Sequence, residues 1–224
     1  MRGVAWATVI GAGLALVLGQ DAPAQTATST ETFEGPARFS VQGTALVYNT
    51  ANPGAFDRED SIVYDDVDQL REMLRAHPEV TEVQLNSEGG GYFAGFDMAR
   101  IIQDFELDTV VRDECSSSCT YVFLGGAGRR MMRGARIGFH HTSWGAANIE
   151  SFYGDRAEAN GWDTAFDFAS WVYEDTQTEV YDRLSFMVNR GVDATFAIET
   201  LRAGTDDMWY PPRSVLLAAG FLSE

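Results

Sequence analysis

Leu85-Asn86-Ser87-Glu88-Gly89-Gly90-Gly91-Tyr92-Phe93-Ala94-Gly95 joins a short β run, Val80 to Leu85, to a helical pattern from Phe93 to Phe105. A strand that ends in three glycines and turns at once into a helix is built like an α/β protein, whose sites gather at the C-terminal ends of strands. The helix carries Phe96, Met98, Ile101 and Ile102 on one face, as a helix packed on a sheet does. The loop lacks the G-x-G-x-x-G pattern of a dinucleotide fold. Two readings remain for it: a tight bend, or a rack of backbone N–H groups with Gly90 as a donor.

Downstream, Thr109-Val110-Val111 reads as the next strand, and an apolar run from Ser117 to Leu124 begins where it has ended. Ala135 to Phe139 gives another strand. A long helix then covers Phe166 to Val188, with aromatics at Phe168, Trp171, Tyr173 and Tyr181. Upstream, Phe39 to Tyr48 looks like a strand or hairpin, Asn49 to Asp60 like a loop, and Ser61 to Ala76 like a helix with Val67, Leu70, Met73 and Leu74 inward. Alternation of strand and helix at this spacing implies a parallel sheet with crossover helices. No internal repeat is visible.

Chemistry concentrates in Cys115-Ser116-Ser117-Ser118-Cys119 and in Phe139-His140-His141. A hydroxyl nucleophile needs a base to take its proton and backbone donors to hold the oxyanion. Ser117 stands where a strand turns into a helix, so helix-end N–H groups and their partial positive charge face it; the same serines also suit a plain helix cap. All sixteen basic side chains are arginine. Without lysine there is no Ser-Lys dyad, Schiff base or phosphate-loop lysine, and a serine nucleophile has to use histidine. Of the three histidines, His77 precedes Pro78 at a helix end and reads as a surface or capping residue. His140 and His141 point to opposite faces of an extended strand, so one of them can serve Ser117.

Residues 1–24 read as a signal peptide, with Arg2, an apolar run from Val4 to Gly19, and the small-residue site Ala22-Pro23-Ala24. Residues 25–36 are rich in Thr, Ser and Glu and read as a flexible lead-in. Residues 37–224 then form one domain with a single core. The expected location is periplasmic or secreted, with no membrane contact once the leader is removed. In such a compartment two closely spaced cysteines favour a disulfide, Cys115 to Cys119, clamping the turn that carries Ser117. Neither zinc-ligand spacing nor H-E-x-x-H is present, so no metal and no cofactor is expected. The net charge of −17 argues against nucleic acid as a partner.

The run Asn86-Ser87-Glu88-Gly89-Gly90-Gly91-Tyr92-Phe93-Ala94-Gly95 resembles the glycine motif of the Clp protease proteolytic subunit, in which Asn-Ser-Pro-Gly-Gly is followed at the same spacing by Ala-Gly. Cys115 to Gly126 and Arg136-Ile137-Gly138-Phe139-His140 look like that family's nucleophile helix and histidine strand. The likeness spans about Ser61 to His140 and is strongest to exported, ClpP-like predicted periplasmic proteins. It implies the α/β ClpP/crotonase superfold of repeated β-β-α units, here with a long helix in the C-terminal half. Position by position it implies Ser117 as nucleophile, His140 as base, and Gly90 and Ser118 as oxyanion donors. Aligning Ala219-Gly220 places Met208 where the family has an aspartate, which makes Asp207 the expected third member, with Asp206 next to it. The implied activity is that of an exported serine peptidase acting on peptides or proteins as a homo-oligomer. The alternative is a non-catalytic binding or scaffold protein on the same superfold. An acyl-CoA enzyme of crotonase type comes third, because export separates it from CoA.

Overall fold

Alternating burial along Glu82–Ser87, with Val83, Leu85 and Ser87 inward, marks the strand at the heart of the sheet. The computed structural model describes residues 37–51 and 61–224. The expected signal peptide and the whole lead-in lie outside the described residues, as does much of the Asn49 to Asp60 loop.

In chain order the strands are β1 (Phe39–Gln42), β2 (Ala45–Asn49), β3 (Glu82–Ser87), β4 (Asp108–Ser116), β5 (Arg129–Met131) and β6 (Arg136–Gly138). The helices are α1 (Tyr64–Ala76), α2 (Tyr92–Asp104), α3 (Cys119–Leu124), α4 (Ala146–Asn160), α5 (Ala165–Asn189), α6 (Ala194–Glu199) and α7 (Arg213–Ala218). β1 and β2 form an antiparallel hairpin at one edge, and β2, β3 and β4 run parallel. The nine-residue β4 has two partners: its first half pairs with β5 and its last three residues with β6, both parallel.

Parallel pairing requires crossovers, and α1, α2 and α3 supply those between successive strands. Each buries most of the face its sequence foretells: Val67, Leu70 and Leu74 on α1, with Met73 half-buried, and Met98, Ile101 and Ile102 on α2, with Phe96 half-buried. α3 is buried along its whole length, so its apolar run needs no polar face. α1 starts on a polar lock: Asp66 accepts from Arg38, from the Tyr48 hydroxyl and from the Val63 N–H, at 2.8, 2.8 and 2.9 Å. His77 is the C-cap residue of α1, and its Nδ1 lies 3.1 Å from Glu79.

α4 was not foreseen, and it buries no residue at all. The helix is short of apolar side chains on any face, so periodicity cannot reveal it. The segment foreseen as a helix over Phe166 to Val188 is α5, capped by a reciprocal Thr164–Asp167 box.

Candidate active site

Three neighbouring parallel strands end side by side, and each delivers one part of the site. β3 runs into Gly89-Gly90-Gly91, β4 into Ser117, and β6 into Phe139 and His140. The register aligns Ser87 with Cys115 and Ser116 with Gly138, so these parts arrive level with one another.

Ser117 has φ +54°, the left-handed region that a non-glycine residue enters at a cost of about 1–3 kcal/mol. Neighbours hold it there. Its N–H donates to Gly138 O at 3.0 Å, and its carbonyl accepts from the N–H and hydroxyl of Thr120 at 3.0 and 2.6 Å. The Cys115–Cys119 disulfide closes across the same turn, with Cα atoms 5.2 Å apart. Of the serine triplet, Ser116 and Ser118 are buried and only Ser117 reaches the surface. Ser116 is occupied elsewhere, donating to Glu114, which also accepts from Tyr210 and Arg136. Burial works to raise the Glu114 carboxyl, but those three donors hold it below the usual range.

Gly89 and Gly90 have φ values of +107° and +143°. A Cβ on Gly89 would stand 2.7 Å from both the Ser117 Cβ and the Ser116 carbonyl oxygen, so the loop meets the serine turn only because no side chain is there. Ile62 brackets the next residue, donating to Gly89 O at 2.7 Å and accepting from Gly91 N–H at 2.8 Å. That pairing leaves the Gly90 N–H without a hydrogen bond among the described residues. The Ser118 N–H likewise makes no hydrogen bond among the described residues. Both of the expected oxyanion donors are therefore unspent.

His140 Nε2 lies 2.7 Å from Ser117 Oγ, and the exposed His141 takes the other face, as strand alternation requires. Burial, and then the Arg183 guanidinium, lower the His140 pKa, so the imidazole is neutral and able to accept at pH 7. Arg183 is itself buried and donates to the His140 carbonyl at 3.1 Å.

The expected third member does not join them. Phe139 pairs antiparallel with Trp209 through reciprocal 2.9 Å hydrogen bonds, which sets Met208 opposite His140 and turns Asp207 to the other face. Asp207 is exposed and accepts from the Met208 N–H at 2.8 Å; Asp206 is exposed as well. The buried His140 Nδ1 has no hydrogen-bond partner among the described residues. Ser117 and His140 thus stand as a hydrogen-bonded pair, and Asp207, placed by the register of one strand pair, makes no hydrogen bond to the imidazole.

A cleft of about 640 Å³ opens over the dyad. One wall is the Asn148, Ser151, Phe152 and Asp155 stripe of α4, with Trp144 before it and Glu179 of α5 beside it. Sequence reasoning missed this wall, because Phe152 is the one apolar residue in the stripe and no hydrophobic period marks it.

No protein-family model and no curated protein matches the chain. Among solved structures it is similar to a point mutant of ClpP1 from Listeria monocytogenes, with a TM-score of 0.50 and 13% identity over 73% of this chain and 85% of that one. At that identity the likeness speaks for architecture alone, and the architecture it shows is a mixed α/β, ClpP-like fold.

Proposed function

We propose that the chain is an exported serine peptidase, periplasmic or secreted, that cleaves amide bonds through an acyl-enzyme on Ser117. The observation that carries this reading is the 2.7 Å approach of His140 Nε2 to Ser117 Oγ beside two unspent backbone N–H groups. Ser117 Oγ attacks the carbonyl carbon of the substrate while His140 takes its proton. The oxygen that gains charge is received by the N–H groups of Gly90 and Ser118. Collapse of the tetrahedral adduct breaks the C–N bond, and His140 returns the proton to the departing amine. Water, deprotonated by His140, then releases the acyl group.

Without an acid on Nδ1, imidazolium forms less readily than in a triad, and a slow enzyme is expected. The same unpartnered Nδ1 favours the second reading, a binding or scaffold protein on the ClpP-like fold. A fluorophosphonate separates the two. Peptidase chemistry predicts a covalent adduct on Ser117, found by peptide mass mapping and lost in Ser117→Ala and His140→Ala. Absence of an adduct on the correctly folded wild type leaves the scaffold reading.

A further inference from the structure

The wall of the cleft carries charge of one sign. Asp155 on α4 and Glu179 on α5 line it, and among the described residues no arginine, and no histidine other than His140, does. Aromatic faces complete it: Tyr92 and Phe93 come from the start of α2, and Trp144 meets Phe152 edge-on at 5.1 Å. Phe152 is backed in turn by Trp171, stacked at 5.9 Å, which braces this wall from behind.

The Glu179 carboxylate has no hydrogen bond or ion pair among the described residues; only its backbone carbonyl is engaged, by the Tyr92 hydroxyl at 3.1 Å. Burial, then Asp175 one turn earlier, raise its pKa above the ordinary carboxylate value. The nearest cation on the same helix, Arg183, is turned inward to the His140 carbonyl and does not line the cleft. A carboxylate held partly out of water without a partner gains from an incoming cation, and aromatic faces beside it add cation–π attraction.

We infer that the cleft selects substrates with a cationic side chain, lysine or arginine, next to the scissile bond, with Glu179 and Asp155 as the residues that read it. This deepens the peptidase reading and rests on it, since the dyad at the cleft floor fixes which bond lies beside the side chain. An aliphatic stem packs along Phe152 and Trp144 while the charged head reaches the carboxylates, a division of labour that suits both long basic side chains.

Matched fluorogenic peptides that differ only in arginine, leucine or glutamate before the scissile bond test the inference. Wild type is expected to show a kcat/KM for arginine at least about tenfold above leucine, with glutamate lowest. In Glu179→Gln the arginine-to-leucine ratio falls at least about fivefold, and in Glu179→Gln/Asp155→Asn it approaches unity, whereas Glu72→Gln on the distant α1 leaves the ratio unchanged. Cleavage without preference for arginine, or a preference indifferent to both substitutions, overturns the inference and leaves the peptidase standing. If no peptide is cleaved and no fluorophosphonate adduct forms, the peptidase reading fails, and fluorescence anisotropy on Ser117→Ala decides the charge question alone. Tighter binding of the arginine peptide, lost in the Glu179→Gln background, supports the inference; equal binding of all three overturns it.

Discussion

Ser117 and His140 meet at the ends of adjacent strands, and the electrostatics of the histidine set the pH at which the pair works. Burial and the Arg183 guanidinium both disfavour imidazolium, so the folded pKa lies below 6.5. Activity should therefore persist down through pH 6.5 and fall as the pH drops through the depressed value; a kcat/KM profile with its acid midpoint at or above about 6.5 contradicts this. Arg183→Gln keeps a donor for the His140 carbonyl but removes the charge, and should move that midpoint upward. Asp207→Asn and Asp206→Asn should each keep turnover within about tenfold of wild type, against the roughly 10⁴ lost when a working triad acid is removed. At this scale the pairing of Ser117 with His140 was legible because the absence of lysine left histidine as the candidate base, and alternation left one histidine per face. The acid was not legible: one residue of register between Phe139 and Trp209 decides which side chain faces His140, and no local pattern encodes that pairing.

Among elements, the turn from β4 to α3 stores the strain that aims Ser117, and the disulfide bridges its two ends. Closing so short a loop limits the unfolded chain by an amount worth about 2 kcal/mol on the chain-entropy account. The Cys115→Ala/Cys119→Ala variant should lose roughly that stability in urea titration, and its fluorophosphonate labelling should slow even where it remains fully folded, because φ +54° at Ser117 is then less well held. Unchanged labelling would show that the backbone hydrogen bonds to Gly138 and Thr120 suffice. α1 offers a second check on element stability: Asp66→Ala strips two buried donors and one half-buried donor of their acceptor and should cost about 3–5 kcal/mol, read from the denaturation midpoint. Helices with an apolar face, α1, α2 and α5, were readable in advance, as were β3 and the histidine strand. The missed elements share a physical cause. β5 is only three residues long, α6 and α7 six each, and α4 has no buried side. Such segments are fixed by what they pack on, or by their neighbours in the chain, more than by their own pattern.

For the whole molecule, α5 is the feature that one chain leaves unfinished. Phe166, Tyr173 and Tyr181 are 86%, 71% and 70% exposed, and their spacing of seven and eight residues keeps them on one face of the helix. Trp171 and Phe168 on the same helix are already spent in the aromatic cluster with Phe152 and Trp162. An aromatic row along a helix is costly to leave in water, and a second copy of the chain offers a self-complementary cover through two-fold pairing. We therefore expect self-association through the outer face of α5, seen in sedimentation velocity at micromolar concentration as a species heavier than a monomer. Tyr173→Glu and Phe166→Glu should return that species to a monomer, because like charges meet across a two-fold axis, while Trp171→Glu should instead disturb the cluster behind the cleft and lower stability. A chain that sediments as a monomer throughout, with Tyr173→Glu making no difference, would leave the row without this role. The two positions act on different things: one row of α5 rings faces outward from the chain, and the other packs behind the wall over Ser117.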